Sequence, residues 1–289
     1  MKLAWSVAVL LWLLASPALA AELNWAVALR PPEVHQGGIA QLRVSGSDIA
    51  GVKARRGGEE IVLFPAEDGS YFALLGVDLE QRPGPLDLFL SGRSVGGESW
   101  TRQVTIEVKP KEFPRETLSV SAAFDQIDRA TLKRIEKEQA QLDRLWKIQS
   151  PNRLWDGPFV APVSGGITSP FGLSRVINGS ARSPHGGVDL KASLGSDVVA
   201  ANSGRVVLRD EFFFSGKSLV FDHGGGLYTM YSHLSEYRAE KNAQVRRGEV
   251  IGLAGMTGRV TGPHLHWGAR LSGARVDPGE LLEMEYTRQ

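Results

Sequence analysis

The sequence predicts a mostly β chain: an N-terminal β-sandwich, a helical connector and a C-terminal antiparallel β domain. Three observations predict it. Short apolar runs alternate with glycine- and proline-rich turns at both ends of the chain. Between them, residues 124–148 place apolar side chains at three- and four-residue steps, the spacing of a helix. Five of the six histidines fall between 185 and 266, so the chemistry concentrates in the last part. A hydrophobic share of 42% and a charged share of 22% are those of a globular protein. A formal net charge of +1, with no basic tail, leaves no footprint for nucleic acid.

Residues 1–20 read as a secretory signal. Lys2 is a minimal positive start, Leu3 to Leu14 an apolar run, and Ala18-Leu19-Ala20 a small-x-small cleavage site. The apolar run is short for the roughly 20 residues of a membrane span. The expectation is a cleaved leader, export from the cytoplasm, and no stable membrane insertion afterwards. Cysteine is absent. That excludes disulfides, thiol ligands, a thiol nucleophile and a cysteine for lipid attachment.

The sandwich is expected over 21–110. Gln41–Val44, Ile61–Phe64, Tyr71–Leu75, Leu86–Leu90 and Val104–Val108 are its strand candidates, separated by Gly37-Gly38, Gly57-Gly58, Asp68-Gly69, Pro83-Gly84-Pro85 and Gly96-Gly97. Val104, Ile106 and Val108 share one face, which is read as the core face. His35, among Pro31, Pro32 and Gly37, reads as a loop residue. No catalytic constellation falls in this part; spacing, partner binding or covering a site are its expected roles.

The connector, 111–157, begins extended because prolines disfavour helix at the residues before them. Leu132, Ile135, Leu142, Leu145 and Trp146 then form an apolar stripe on an otherwise charged helix. Arg134 and Glu138 are placed for an i,i+4 pair. The stripe predicts packing against one of the flanking parts; a dimerising or regulatory arm is the alternative.

The last part, 158–289, returns to strands. Val198–Ala200, Gly204–Leu208, Lys217–Asp222 and Leu227–Tyr231 are candidates, the last two joined by a glycine turn at 224–226. Gly172 to Pro184 reads as a polar loop, in which Arg175, Asn178 and Arg182 line a substrate groove or are simply solvated. Tyr231 and His233, two residues apart, should share a face, which adds Tyr231 to the groove candidates. His223 reads as a strand-end residue near the site and not a ligand.

Gly262-Pro-His264-Leu-His266-Trp267 organises the chemistry. In a strand both imidazoles point to one side and Leu265 to the other. Pro184-His185-Gly-Gly-Val-Asp189 puts a carboxylate four residues after an imidazole, and its two glycines argue for a tight loop entering a strand. His185, Asp189 and His266 then offer two nitrogens and one oxygen, with a fourth position open, the pattern of a catalytic zinc. No His-Glu-x-x-His motif supplies a base, which leaves His233 and His264 for proton transfer.

His185-Gly-Gly-Val-Asp189, Tyr231-Ser-His233-Leu-Ser and Gly262-Pro-His264-Leu-His266 resemble the three motifs of lysostaphin-type (LytM-like) zinc metalloendopeptidases, which cut peptide bonds in peptidoglycan. The resemblance covers roughly Pro158 to Leu282. It implies a compact antiparallel β domain of the LytM, duplicated hybrid motif type, with one Zn2+ per chain on His185, Asp189 and His266. His233 and His264 would be the two non-ligand histidines beside it, with base and oxyanion roles unassigned between them. The implied substrate is the peptide cross-link of peptidoglycan, D-Ala to diaminopimelate in an envelope of the Gram-negative type, and with the leader the resemblance implies a place across the inner membrane, in the periplasm. Asp197 and Met230 depart from the usual pattern without touching a motif. A non-catalytic activator of another cell-wall hydrolase is the competing class; a plain wall-binding module gives no reason for the metal set.

Overall fold

The computed structural model describes residues 25–118, 127–181 and 183–284. The expected signal at 1–20 and the expected start of the helix at 124–126 lie outside the described residues.

Two sheets form the N-terminal part. One runs Trp25–Arg30, Ile39–Gly46, Tyr71–Gly76, Phe64–Pro65; the other Glu33–His35, Ser99–Lys109, Gly84–Ser94, Ile49–Arg56, Glu59–Ile61. Leu42, Val44, Ala73, Leu75, Leu88, Leu90, Ile106 and Val108 close the space between them. Ile106 and Val108 are buried while Glu107 between them is not, as alternation requires. Tyr71–Gly76 departs from alternation and is buried almost throughout. Its second face explains this: Phe72 and Leu74 join Ile39, Phe64 and Leu79 in a core shared with the C-terminal part. A strand covered on both sides reads as a continuous apolar run. His35 ends the edge strand Glu33–His35 rather than standing in a loop, with its Nδ1 3.3 Å from the Pro110 carbonyl.

The two parts are locked by more than apolar contact. Phe64 meets Trp155 edge to face at 5.2 Å. Arg275 donates to both Asp78 oxygens and to Glu80.

The connector differs from the expected plain linker. Arg115–Leu118 pairs in parallel with Ser174–Ile177, which itself pairs with Ser180–Ala181. The expected polar loop at 172–184 is thus a small hairpin extended by the connector. Arg175 donates to Glu116 and to Ser169. Helix α1 spans Arg129–Leu145 and is capped by Asp128, whose carboxylate accepts from the amides of Ala130 and Thr131. Only the C-terminal half of its stripe packs on the C-terminal sheet: Leu142, Leu145 and the adjoining Trp146 meet Leu208, Phe212, Val220 and Tyr228, while Leu132 is 46% exposed. Arg134 pairs with Glu138 at 2.6 Å and also reaches the Glu211 carbonyl, while Glu138 accepts from the Phe213 amide.

The C-terminal part is built on an antiparallel sheet. Its order is Ile167–Ser169, Gly187–Leu190, Leu265–Leu271, Leu227–Leu234, Gly216–Gly224, Gly204–Phe212, Gln244–Val245, with Ala274–Val276 added beside Leu265–Leu271. One face carries Tyr231, Leu265, Trp267, Ala269 and Leu271 into the core. A short helix, α2 (Pro278–Glu283), closes the fold through buried Leu281.

Candidate metal centre

Strand register brings the site together. Gly187–Leu190 lies beside Leu265–Leu271 with Asp189 opposite His266. Leu227–Leu234 lies on the other side with Ser232 opposite His266. The strands approach so closely at Gly187 that a Cβ there would stand 2.5 Å from the Trp267 carbonyl oxygen and 2.9 Å from the His266 ring. This is a physical reason for the glycine in the His185–Asp189 run. Just ahead of the strand, the His185 amide donates to the Leu173 carbonyl, fixing the loop that carries the ring.

Three donor atoms converge. His185 Nε2 is 3.0 Å from His266 Nδ1 and 3.1 Å from Asp189 Oδ1, and His266 Nδ1 is 2.9 Å from Asp189 Oδ1. These spacings approach the roughly 3.3 Å between ligands set about 2.0–2.1 Å from a tetrahedral ion. His185 Nδ1 lies 3.0 Å from the Pro170 carbonyl, which only accepts, so its proton is there and Nε2 turns a lone pair inward. One proton on His266 cannot satisfy all three inward contacts. Converging lone pairs of this kind are what a small divalent cation relieves, and two imidazoles with one carboxylate suit it.

The electrostatics agree. Burial opposes ionisation of Asp189, but the contacts of its Oδ1 with the His185 and His266 rings outweigh it and hold the carboxyl well below the usual range. Burial pushes His266 down against the pull of Asp189, so its ring is biased towards the neutral form a metal ligand needs.

His233 and His264 stand beside this triangle. Their ring centroids are 4.8 Å apart, and His233 is 6.1 Å from His266. His264 Nε2 is 3.8 Å from Asp189 Oδ1. His233 Nδ1 lies 2.9 Å from the Thr257 carbonyl and His264 Nδ1 2.9 Å from the Gly262 carbonyl. Burial, with repulsion from His266, lowers His233 to about 4. The His233 backbone is left-handed, φ 63°, and its amide donates to Ser215 O at 2.9 Å.

That backbone corrects the reading of Tyr231. The left-handed residue breaks the alternation of its strand, so His233 turns to the site while Tyr231 stays on the core face. Tyr231 is 0% exposed, and its hydroxyl accepts from the Ala201 amide at 2.9 Å; it lines no groove. Asn178 takes the exposed turn of the 174–181 hairpin, φ 49°. Arg182 lies outside the described residues. His223 is buried in the core, between Ser203 O and Thr229 Oγ1. Sequence reading missed the carbonyls that fix the rings, at Pro170, Thr257 and Gly262. It also missed α1 as a neighbour of the site: Gln139, Leu142 and Trp146 line a crevice that reaches His266. The Pro170 and Thr257 contacts and the helix leave no local signal, since each arises from a contact distant in the chain; the Gly262 contact is two residues away and depends on the turn that carries His264.

Residues 183–278 match the model of Peptidase family M23. The DD-carboxypeptidase/endopeptidase Mpg of Neisseria gonorrhoeae is 38% identical over 112 residues, 39% of this chain and 26% of that protein. Peptidoglycan DD-endopeptidase ShyA of Vibrio cholerae is 40% identical over 94 residues, 32% of this chain and 22% of that protein. The matched segment thus spans about a quarter of these relatives' length. A crystal structure of a candidate peptidase M23 from Pseudomonas aeruginosa is 30% identical, with a TM-score of 0.68, covering 86% of this chain and 95% of that one.

Proposed function

The chain belongs to peptidase family M23, and from that premise we propose that it is a periplasmic zinc endopeptidase that hydrolyses D-Ala-to-diaminopimelate cross-links in peptidoglycan. The names of the Neisseria and Vibrio relatives support the substrate class. The observation that carries the reading is the triangle of His185 Nε2, Asp189 Oδ1 and His266 Nδ1, with two further imidazoles beside it.

Zinc held by that triangle would supply Lewis acidity at the scissile carbonyl and lower the pKa of a bound water to about 7. The chain's own residues do the rest. His233, kept neutral by burial and holding its Nδ1 proton on Thr257 O, presents Nε2 as a proton acceptor. His264 likewise rests its Nδ1 on Gly262 O and turns Nε2 towards Asp189 Oδ1. A neutral ring whose Nδ1 proton is so engaged can donate to an oxyanion only after Nε2 has taken a proton. We assign first acceptance, and later return of the proton to the leaving amine, to His233.

The test is metal content and digestion of purified sacculi by the full chain. His266→Ala and Asp189→Ala are expected to lose both zinc and cleavage. His264→Ala is expected to keep zinc and lose about 10²–10⁴-fold in rate. A zinc-free His266→Ala protein that still cleaves at full rate ends the proposal.

A further inference from the structure

His266 and Arg270 lie on the same face of Leu265–Leu271, four residues apart. At about 3.3 Å per residue that is roughly 13 Å along the strand. The crevice under α1 joins them: His266, Gly268 and Arg270 form its floor with Met230, and Leu142 and Trp146 its wall.

The crevice is rich in donors and lacks a matching acceptor. The Arg270 guanidinium lies over the Trp146 ring at 5.6 Å and makes one long bond, Nη1 to Gly273 O at 3.5 Å. Among the described residues no carboxylate oxygen pairs with it within 4.0 Å. Asp143 on α1 and Asp78 attract it only from beyond that distance, and Arg275 repels it. Arg275 itself, five residues on, takes both Asp78 and Glu80. The Trp146 indole N–H is also buried without an acceptor. Burial and Arg275 lower Arg270 to about 10, so it stays charged at neutral pH. A half-buried guanidinium without its anion is costly, and a bidentate carboxylate is its best complement.

We propose that Arg270 is the receptor for a free carboxylate of the cross-linked peptide, so that the crevice under α1 seats one stem of the substrate. This rests on the endopeptidase reading above. A D-Ala-to-diaminopimelate cross-link between two tetrapeptide stems carries four carboxylates at a suitable remove from the scissile bond. They are the α-carboxylate of the γ-linked glutamate in each stem, the free carboxylate of the donor's diaminopimelate and the terminal D-Ala carboxylate of the acceptor stem. The carboxylate on the diaminopimelate carbon next to the scissile nitrogen is too near.

Five muropeptide dimers test this: unmodified, and amidated in turn at the donor glutamate, the donor diaminopimelate, the acceptor glutamate and the terminal D-Ala. Binding to metal-free protein is read from Trp146 emission, checked against Trp146→Phe, and cleavage from kcat and KM of the zinc-loaded chain. Wild type should bind one of the amidated dimers about 10- to 100-fold more weakly, the size of a charged hydrogen bond, and that dimer identifies the stem. Arg270→Gln should show the same loss on the unmodified dimer, in KM rather than kcat, with no further loss on amidation and unchanged zinc content. Arg270→Lys should recover part of it. Equal wild-type binding of all five dimers overturns the proposal even if Arg270→Gln fails to fold; so does an Arg270→Gln protein that discriminates as wild type does. Carboxylate-dependent binding without cleavage would retain the receptor and sink the endopeptidase reading. Neither binding nor cleavage would sink both.

Discussion

Replacing His223 by glutamine measures how much of this chain's acid sensitivity resides in one ring. His223 is 0% exposed. Its Nδ1 lies 2.7 Å from the Ser203 carbonyl and so carries the proton, while Nε2 lies 2.8 Å from Thr229 Oγ1 and accepts from that hydroxyl. A second proton would have to enter on Nε2, where a donor already stands. Burial lowers the ring from 6.5 to about 4, with Ser203 and Asp222 resisting. Between those values the unfolded chain takes up a proton that the folded chain refuses. The resulting stability is fully present above about pH 6.5 and is lost as pH falls towards 4. At about 1.36 kcal/mol per pH unit, acidification from pH 7.5 to 4.5 removes roughly 2.5 kcal/mol through this group. Urea unfolding of the metal-free chain at both values gives the total change; the difference between wild type and His223→Gln isolates the ring, because other groups cancel. Wild type should lose about 2.5 kcal/mol more than the variant. Parallel losses in the two proteins would refute the reasoning.

Two further substitutions probe the supports of the site and of the interface. Gly216 has φ 58°, and a Cβ there would stand 2.3 Å from the Thr257 carbonyl carbon and 2.4 Å from its oxygen, the oxygen that holds His233 Nδ1. Gly216→Ala should therefore keep its zinc and lose at least about 10-fold in turnover; unchanged turnover would show that Thr257 does not position the ring. Asp78→Ala removes three of the hydrogen bonds that Arg275 makes across the interface and leaves a mostly buried guanidinium with exposed Glu80. A loss of about 2 kcal/mol is expected in urea unfolding, below the 3–5 of a fully buried pair because Asp78 is partly solvated; a loss under about 0.5 kcal/mol would mean that apolar packing alone holds the two parts together.

Strands with one wet face were legible in the sequence. Val104–Val108 alternates because Ile106 and Val108 meet the opposite sheet while Glu107 meets water. Ile49–Arg56 was not read as a strand. Its fully buried side chain is the small Ala54, and Lys53, Arg55 and Arg56 surround it, so apolar contrast is low. Ser174–Ile177 was taken for loop because its local pairing, with Ser180–Ala181, is only two residues long, and its longer one, with Arg115–Leu118, reaches about sixty residues back and runs in parallel. A pairing of that range leaves no mark on either segment alone. The helix was legible because its apolar stripe survives in a highly charged segment, and that same stripe turned out to define which sheet it covers.

The cluster of histidines was legible for a related reason: residue types carry the chemistry, and two adjacent strands, with the short loop that leads into one of them, bring Asp189, His266 and His185 to one place. Tyr231 was misread because the two-residue rule assumes that every residue in the strand is extended. One φ of 63° at His233 suspends it. Glycine advertises such a conformation and histidine does not. A left-handed non-glycine residue costs about 1–3 kcal/mol, and here two hydrogen bonds oppose that cost, the amide to Ser215 O and the ring to Thr257 O. The strain has a direct consequence for orientation. Were His233 extended, its ring would follow Tyr231 into the core, 0% exposed beside Trp267 and Leu265, and could not meet a substrate. The distorted backbone is what moves an imidazole from the packed face of the sheet to the reactive one.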